Sequence, residues 1–167
     1  TAKPGDYQIP YTLSYPKNES QNSIETKTGT IGIRISGDVD LTSSIRAEKP
    51  VLNTEDTITV KIVNTGFADA RFVTIRLVTQ GLILNSDDLV HIGDIRADDF
   101  ETANFNVRYT NEKPQIDAIV EYRDFENRKK SFVASEQLTV YTQEQAVKRG
   151  IIEKNNTSQI FSTIIVL

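Results

Sequence analysis

Apolar and polar residues alternate along most of the chain. In Thr57-Ile58-Thr59-Val60-Lys61-Ile62-Val63 the side chains of Ile58, Val60 and Ile62 fall on one face. Val73, Ile75 and Leu77 do the same in the run 72–78. Phe105 with Val107, and Ile31 with Ile33 and Ile35, repeat the pattern. A period of two is that of a half-buried antiparallel strand with one wet face. Turn formers punctuate the runs at Asn64-Thr65-Gly66, Gln80-Gly81, Asn85–Asp88, Arg96–Asp99 and Thr110–Pro114.

The pattern predicts strands near 41–48, 56–64, 70–80, 88–95, 100–110, 115–123 and 131–142. No helical segment separates them, which excludes a βαβ arrangement. Short strands at this spacing predict an all-β fold, an immunoglobulin-like antiparallel β-sandwich over residues 38–142. The strand phase predicts that Ile58, Val60, Ile62, Val73, Ile75, Leu77, Phe105, Val107, Ile119 and Leu138 face one another in its core. Gly66 is expected to reverse the chain with a positive φ. A short helix is expected after the last strand: Thr142 is a capping residue, Glu144 and Lys148 are spaced i,i+4, and Gly150 is a stop. This helix and a polar stem fill 143–159.

One unit recurs. Lys3-Pro4 leads through an alternating run to Tyr15, and Lys113-Pro114 leads through a shorter one to Tyr122. Each is followed by a polar turn and a second strand, Thr28–Ile35 and Phe132–Tyr141. Repeats of this kind mark modular arrays. Residues 1–37 are therefore expected to be the final hairpin of a preceding, incomplete repeat. A lone hairpin is marginal in water, so it should pair with the main domain, another chain or upstream sequence.

The chain closes on Ile160-Phe-Ser-Thr-Ile-Ile-Val-Leu167. A membrane helix needs about 20 apolar residues. Three readings stay open: the start of a transmembrane helix, a donor strand that completes a neighbouring subunit's sheet, or an eighth strand of the same domain. The first is the leading expectation.

Composition narrows the partners. The net charge is −4, and the 19 Lys and Arg are scattered rather than striped, so a nucleic-acid partner is not expected. There is no cysteine, hence no disulfide, thiolate metal site or cysteine nucleophile. The chain holds no methionine and is expected to derive from a longer precursor.

Candidate chemistry is sparse. His91 is the only histidine, and no Gly-x-Ser-x-Gly elbow accompanies it, so it is expected to be a surface or edge-strand residue. No glycine-rich phosphate loop occurs. Calcium, which takes carboxylates and carbonyls from loops, has candidate ligands at Asp87 and Asp88, at Asp98 and Asp99, and at the pair Asp38 and Asp40. None has EF-hand spacing, and acidic turn residues are mostly solvated turn formers. No cofactor is therefore expected. Asn18, Asn155 and Asn156 begin Asn-x-Ser/Thr triplets and are candidate glycan acceptors.

The stretch Asn64-Thr-Gly-Phe-Ala-Asp-Ala70-Arg-Phe-Val73 resembles the strand-turn-strand element of surface Ig-like repeats, the CARDB-type and related repeats of archaeal S-layer-like proteins. Ile92-Gly-Asp-Ile95 resembles another element of that family, as does Pro4-Gly-Asp-Tyr-x-Ile-Pro10 with its partner near Pro114. Gln115 departs from the family pattern, which has Gly there. The resemblance implies a non-enzymatic, extracellular module: a stalk, S-layer anchor or adhesion repeat, membrane-anchored through a C-terminal helix. It implies protein partners at the cell surface or in a filament, self included, and no small-molecule substrate. A filament subunit joined by strand exchange is the alternative. A carbohydrate- or protein-binding accessory module of an enzyme or transporter is a second.

Overall fold

A computed structural model describes residues 2–18 and 21–153. Two long strands, β1 (Gly5–Asn18) and β2 (Gln21–Ile35), pair antiparallel as a separate two-stranded sheet. The strands that follow are β3 (Leu41–Ala47), β4 (Glu55–Asn64), β5 (Ala70–Gln80), β6 (Leu82–Leu84), β7 (Leu89–Ile95), β8 (Asp99–Tyr109), β9 (Gln115–Arg123) and β10 (Lys129–Gln137). They form two antiparallel four-stranded sheets, in the orders β3-β4-β8-β6 and β10-β9-β5-β7. The division of strands between two layers is that of an immunoglobulin-like sandwich.

The period-two faces meet between the layers. On one side Ile58 sits opposite Phe105, and Val60 opposite Ala103. On the other, Ile75 sits opposite Val120, and Leu77 opposite Ala118. All are buried in a single cluster. Leu138 is half-buried and packs on its rim. Ile119 is a correction: β9 turns Ile116, Ala118 and Val120 inward and leaves Ile119 on the outer face. The run Ile116-Asp-Ala-Ile-Val120 has apolar residues in both phases, and the small Ala118 falls in the buried one.

The strand predicted to reach 142 ends at Gln137. Beyond it the Leu138 and Val140 N–H groups donate to the carbonyls of Pro114 and Glu112, and Tyr141 forms an isolated parallel bridge with Val51. Short β6 offers too few residues for a period to be read. The hairpin is longer than expected, with β2 beginning at Gln21 rather than near Thr28.

Helix α1 (Gln143–Lys148) follows the capping signals. Thr142 Oγ1 accepts the Gln145 N–H, and Gln145 Oε1 accepts the Thr142 N–H, a complete capping box. Lys148 pairs with Glu144 at 2.8 Å. Gly150 takes φ +71, while the N–H groups of Gly150 and Ile151 donate to Val147 and Ala146. That is a Schellman stop, which a left-handed residue makes.

Candidate interaction surfaces

The polar groups buried in the sandwich are bound to the fold itself. Asn64, at the end of β4, is fully buried. Its Nδ2 donates to the carbonyls of Ala68 (2.9 Å) and Ile95 (3.1 Å), and its Oδ1 accepts the Gly66 N–H (3.1 Å). The side chain thus ties the 64–70 loop to the end of β7. Gly66, expected to have a positive φ, does not have one. It must be glycine for another reason. A Cβ there would lie 2.4 Å from the Asp38 carbonyl oxygen and 2.5 Å from the Asp40 nitrogen. Close backbone approach, not chain reversal, fixes the residue.

The 64–70 loop clamps the linker that joins the hairpin to the sandwich. Phe67 and Ala68 N–H groups both donate to the Asp38 carbonyl (2.9 and 3.2 Å), and the Thr65 N–H donates to that of Asp40 (2.8 Å). Asp38 therefore serves this joint through its backbone, and Asp40 through its backbone and its carboxylate, which accepts the Thr65 hydroxyl at 3.1 Å.

A second buried group lies at the other end. The Tyr109 hydroxyl donates to Asp56 Oδ2 at 2.8 Å, and Asp56 Oδ1 accepts the N–H groups of Lys49 and Thr57. Burial, and then the neighbouring carboxylate, push the phenol far above its ordinary value. A third is Asp124, in the β9–β10 turn. Burial alone would raise its pKa. The N–H groups of Arg128 and Glu126 and the Arg128 guanidinium outweigh that and hold it below the usual carboxylate range. A polar cleft of about 300 Å³ lies between this turn and the linker, with Asp38, Tyr122, Glu126 and Lys130 on its walls. Among the described residues no buried side-chain nitrogen or oxygen lacks a hydrogen-bond partner.

Of the calcium candidates, Asp38 and Asp40 lie on the linker, and the other two pairs lie on two separate turns. Asp88 pairs with Arg76, and its carbonyl accepts the Leu77 N–H. The Asp87 carbonyl accepts the Ser86 hydroxyl. Asp98 takes φ +60 and donates its N–H to the Asn64 carbonyl, while the Asp99 carboxylate accepts the Phe100 N–H. Among the described residues no three His, Cys, Asp or Glu converge as metal ligands. His91 is exposed on β7 opposite Thr74. Asn18 ends β1, and its side chain falls outside the described residues, as do Asn155, Asn156 and Ile160–Leu167 entirely. Among the described residues no helix is long and apolar enough to cross a membrane.

What the surface offers is apolar. Phe67, Phe72 and Phe100 are 78%, 66% and 52% exposed. Phe72 sits at a bulge in β5 with φ +53, its N–H held by the Asp94 carboxylate at 2.9 Å. Periodicity put Phe72 with the outer face, yet the bulge and the left-handed φ were invisible in the sequence. The largest apolar surface belongs to the hairpin. Tyr7, Ile9, Tyr11 and Leu13 of β1 share one face with Ile31 and Ile33 of β2, and all six are exposed. The opposite face carries Thr12, Ser14, Thr28, Thr30 and the Asp6–Arg34 ion pair. Neither strand packs more than marginally on the sandwich.

Fold and surface together define an all-β, Ig-like sandwich whose distinctive surfaces are flat and apolar. No family model matches the chain, and no curated protein does. Among solved structures it is similar to the sporulation control protein Spo0M of Bacillus subtilis, at 16% identity and a TM-score of 0.32. The match covers 68% of this chain and 55% of that one, so the chain spans little more than half the length of that neighbour. A likeness of this degree carries nothing about function.

Proposed function

We propose that the chain is a structural module of a cell surface, a stalk, surface-layer anchor or adhesion repeat of the CARDB-like kind. It works by presenting length and surface rather than by catalysis, takes no cofactor, and is held at the membrane through the segment that begins at Ile160. Its partners in this reading are other surface proteins, and Asn18, Asn155 and Asn156 are acceptor positions for glycans. The observation that carries the reading is the division of labour among polar and apolar groups. Asn64, Asp56, Tyr109 and Asp124 spend their hydrogen bonds on the fold. The groups left on the surface are instead the apolar side chains of the hairpin and of Phe67 and Phe72, while the Phe100 ring lies under the Lys61 ammonium at 3.8 Å. Unpaired apolar surface marks association, whereas catalysis needs polar groups free to act.

Truncation after Ser158 tests the reading in membrane-fractionated cells. Release of the shortened chain from the membrane supports it. Membrane retention unchanged by the truncation overturns it. Loss of polymer without any membrane association would favour the filament subunit instead. The exposed phenylalanines also favour a second reading, an accessory module that stacks sugar rings on them. Retardation on immobilised polysaccharide, abolished by Phe67→Ala with Phe72→Ala, would select it.

A further inference from the structure

The hairpin displays an apolar face with no layer over it. Its two faces differ: six large apolar residues share one, while the other carries hydroxyl groups and one ion pair, with Pro10, Pro16 and Ile24 among them. A hairpin built to be wet on both sides has no use for that asymmetry. Two strands alone are marginal in water, and further strands or a packed layer are needed for independent stability.

The sandwich indicates what kind of layer suits such a hairpin. The β9–β10 hairpin, which shares its Lys-Pro lead-in and closing tyrosine, lays Ile116, Ala118 and Val120 on the opposing sheet. One difference separates the two hairpins. Strand β9 is central, paired with β10 on one side and β5 on the other, and has no proline within it. Strand β1 carries Pro10 and Pro16 inside the strand. A proline cannot donate to a ladder, and within sheets it is confined to edges and bulges. Strand β1 is therefore an edge. That blocks growth of the sheet past β1, and growth past β2, which has no proline, would still leave the apolar face uncovered.

We infer that the occupant is a second copy of this chain, with the two hairpins stacked apolar face on apolar face around a twofold axis. The area suffices: six side chains exposed by roughly half offer on the order of 500 Å² per copy, about 1,000 Å² for the pair, where specific association begins. Charge permits it. The ionic residues on this face lie at its far end: Glu25 and Lys27 are opposite in sign, and Lys17 follows in the same phase beyond Tyr15, so the apolar part is free of charge. Shape favours it as well. Tyr11 stands opposite Gly29, and a Cβ at Gly29 would lie 2.6 Å from the Tyr11 ring. The ring thus lies over Gly29 of its own β2, where no side chain stands in the way. The inference is independent of the cell-surface reading.

Sedimentation velocity of the full chain from about 1 to 200 μM tests it, with hydrogen exchange of residues 5–35 read on the same samples. The expected result is a reversible dimer with a dissociation constant on the order of 10 μM. Hairpin protection should rise in step with the dimer fraction. Ile9→Lys should weaken the dimer at least 100-fold, while Thr12→Lys, on the opposite face, should change it less than about threefold. A monomer throughout the range overturns the inference. So does a dimer that survives Ile9→Lys, or hairpin protection that ignores concentration. The wild-type titration decides the matter even where a variant hairpin melts.

Discussion

Replacing Asn64 by alanine removes three hydrogen bonds from a fully buried site. The cost exceeds three average bonds made and lost, because their partners stay behind. The carbonyls of Ala68 and Ile95 lose their Nδ2 donor, and the Gly66 N–H loses its acceptor. Each unsatisfied buried group costs about 1–3 kcal/mol. Partial rescue by water at the loop end pulls the total toward the low limit, giving about 3–5 kcal/mol. Aspartate sharpens the test. It keeps the acceptor for Gly66 but turns a carboxylate toward two carbonyls that need donors. At neutral pH Asn64→Asp should be at least as destabilising as Asn64→Ala. Its folded-state pKa would be raised, so the neutral form suits the fold. The penalty should be smallest below the unfolded value of about 4 and grow as pH rises through it. Urea melts at pH 3, 5 and 7, with m held constant, read both variants. A loss under about 1 kcal/mol for Asn64→Ala, or an aspartate variant milder than alanine at pH 7, would refute the bridging role.

Tyr109→Phe should cost about 1.5–3 kcal/mol at pH 7, the worth of a hydrogen bond to a charged acceptor. The folded-state pKa of Tyr109 is raised above its ordinary value of 10.0, so its contribution is complete below pH 10 and erodes as pH climbs above it. The variant should lose that alkaline decline, about 1.4 kcal/mol per pH unit, in denaturant melts from pH 9 to 11. Gly66→Ala should destabilise by at least about 2 kcal/mol because its Cβ would meet backbone, whereas Gly32→Ala meets nothing within 4 Å and should stay within about 1 kcal/mol; equal effects in thermal melts would refute the close-approach argument. Ile75→Ala, at a fully buried position, should cost about 2–4 kcal/mol, and a near-zero change in chemical denaturation would mean that β5 faces the other way.

The period-two signal was strong wherever a strand has one buried and one wet face. Strand β5 falls on its predicted bounds for that reason. It was weak where both phases are apolar, as at Ile116–Val120, and Ile119 was misplaced. Turn chemistry was legible as punctuation but not as geometry. Asn64-Thr-Gly66 reads as a reversal, yet its glycine answers to the linker residues Asp38–Asp40, distant in sequence. The apolar face of the hairpin was present in the sequence as Tyr7, Ile9, Tyr11 and Leu13. That nothing in the sandwich covers it depends on tertiary placement, which no local pattern encodes.

The clamp between the linker and the 64–70 loop has a mechanical meaning. Tension drawn along β2 leaves the hairpin at Ile35 and reaches β3 only through Asp38–Asp40. There it is shared with the loop after β4, through the bonds that Thr65, Phe67 and Ala68 make. Load is thus distributed to two strands of one sheet before any ladder is stressed. Torque meets the same fastening, since three backbone bonds and a side-chain-free contact at Gly66 leave the linker little room to swivel.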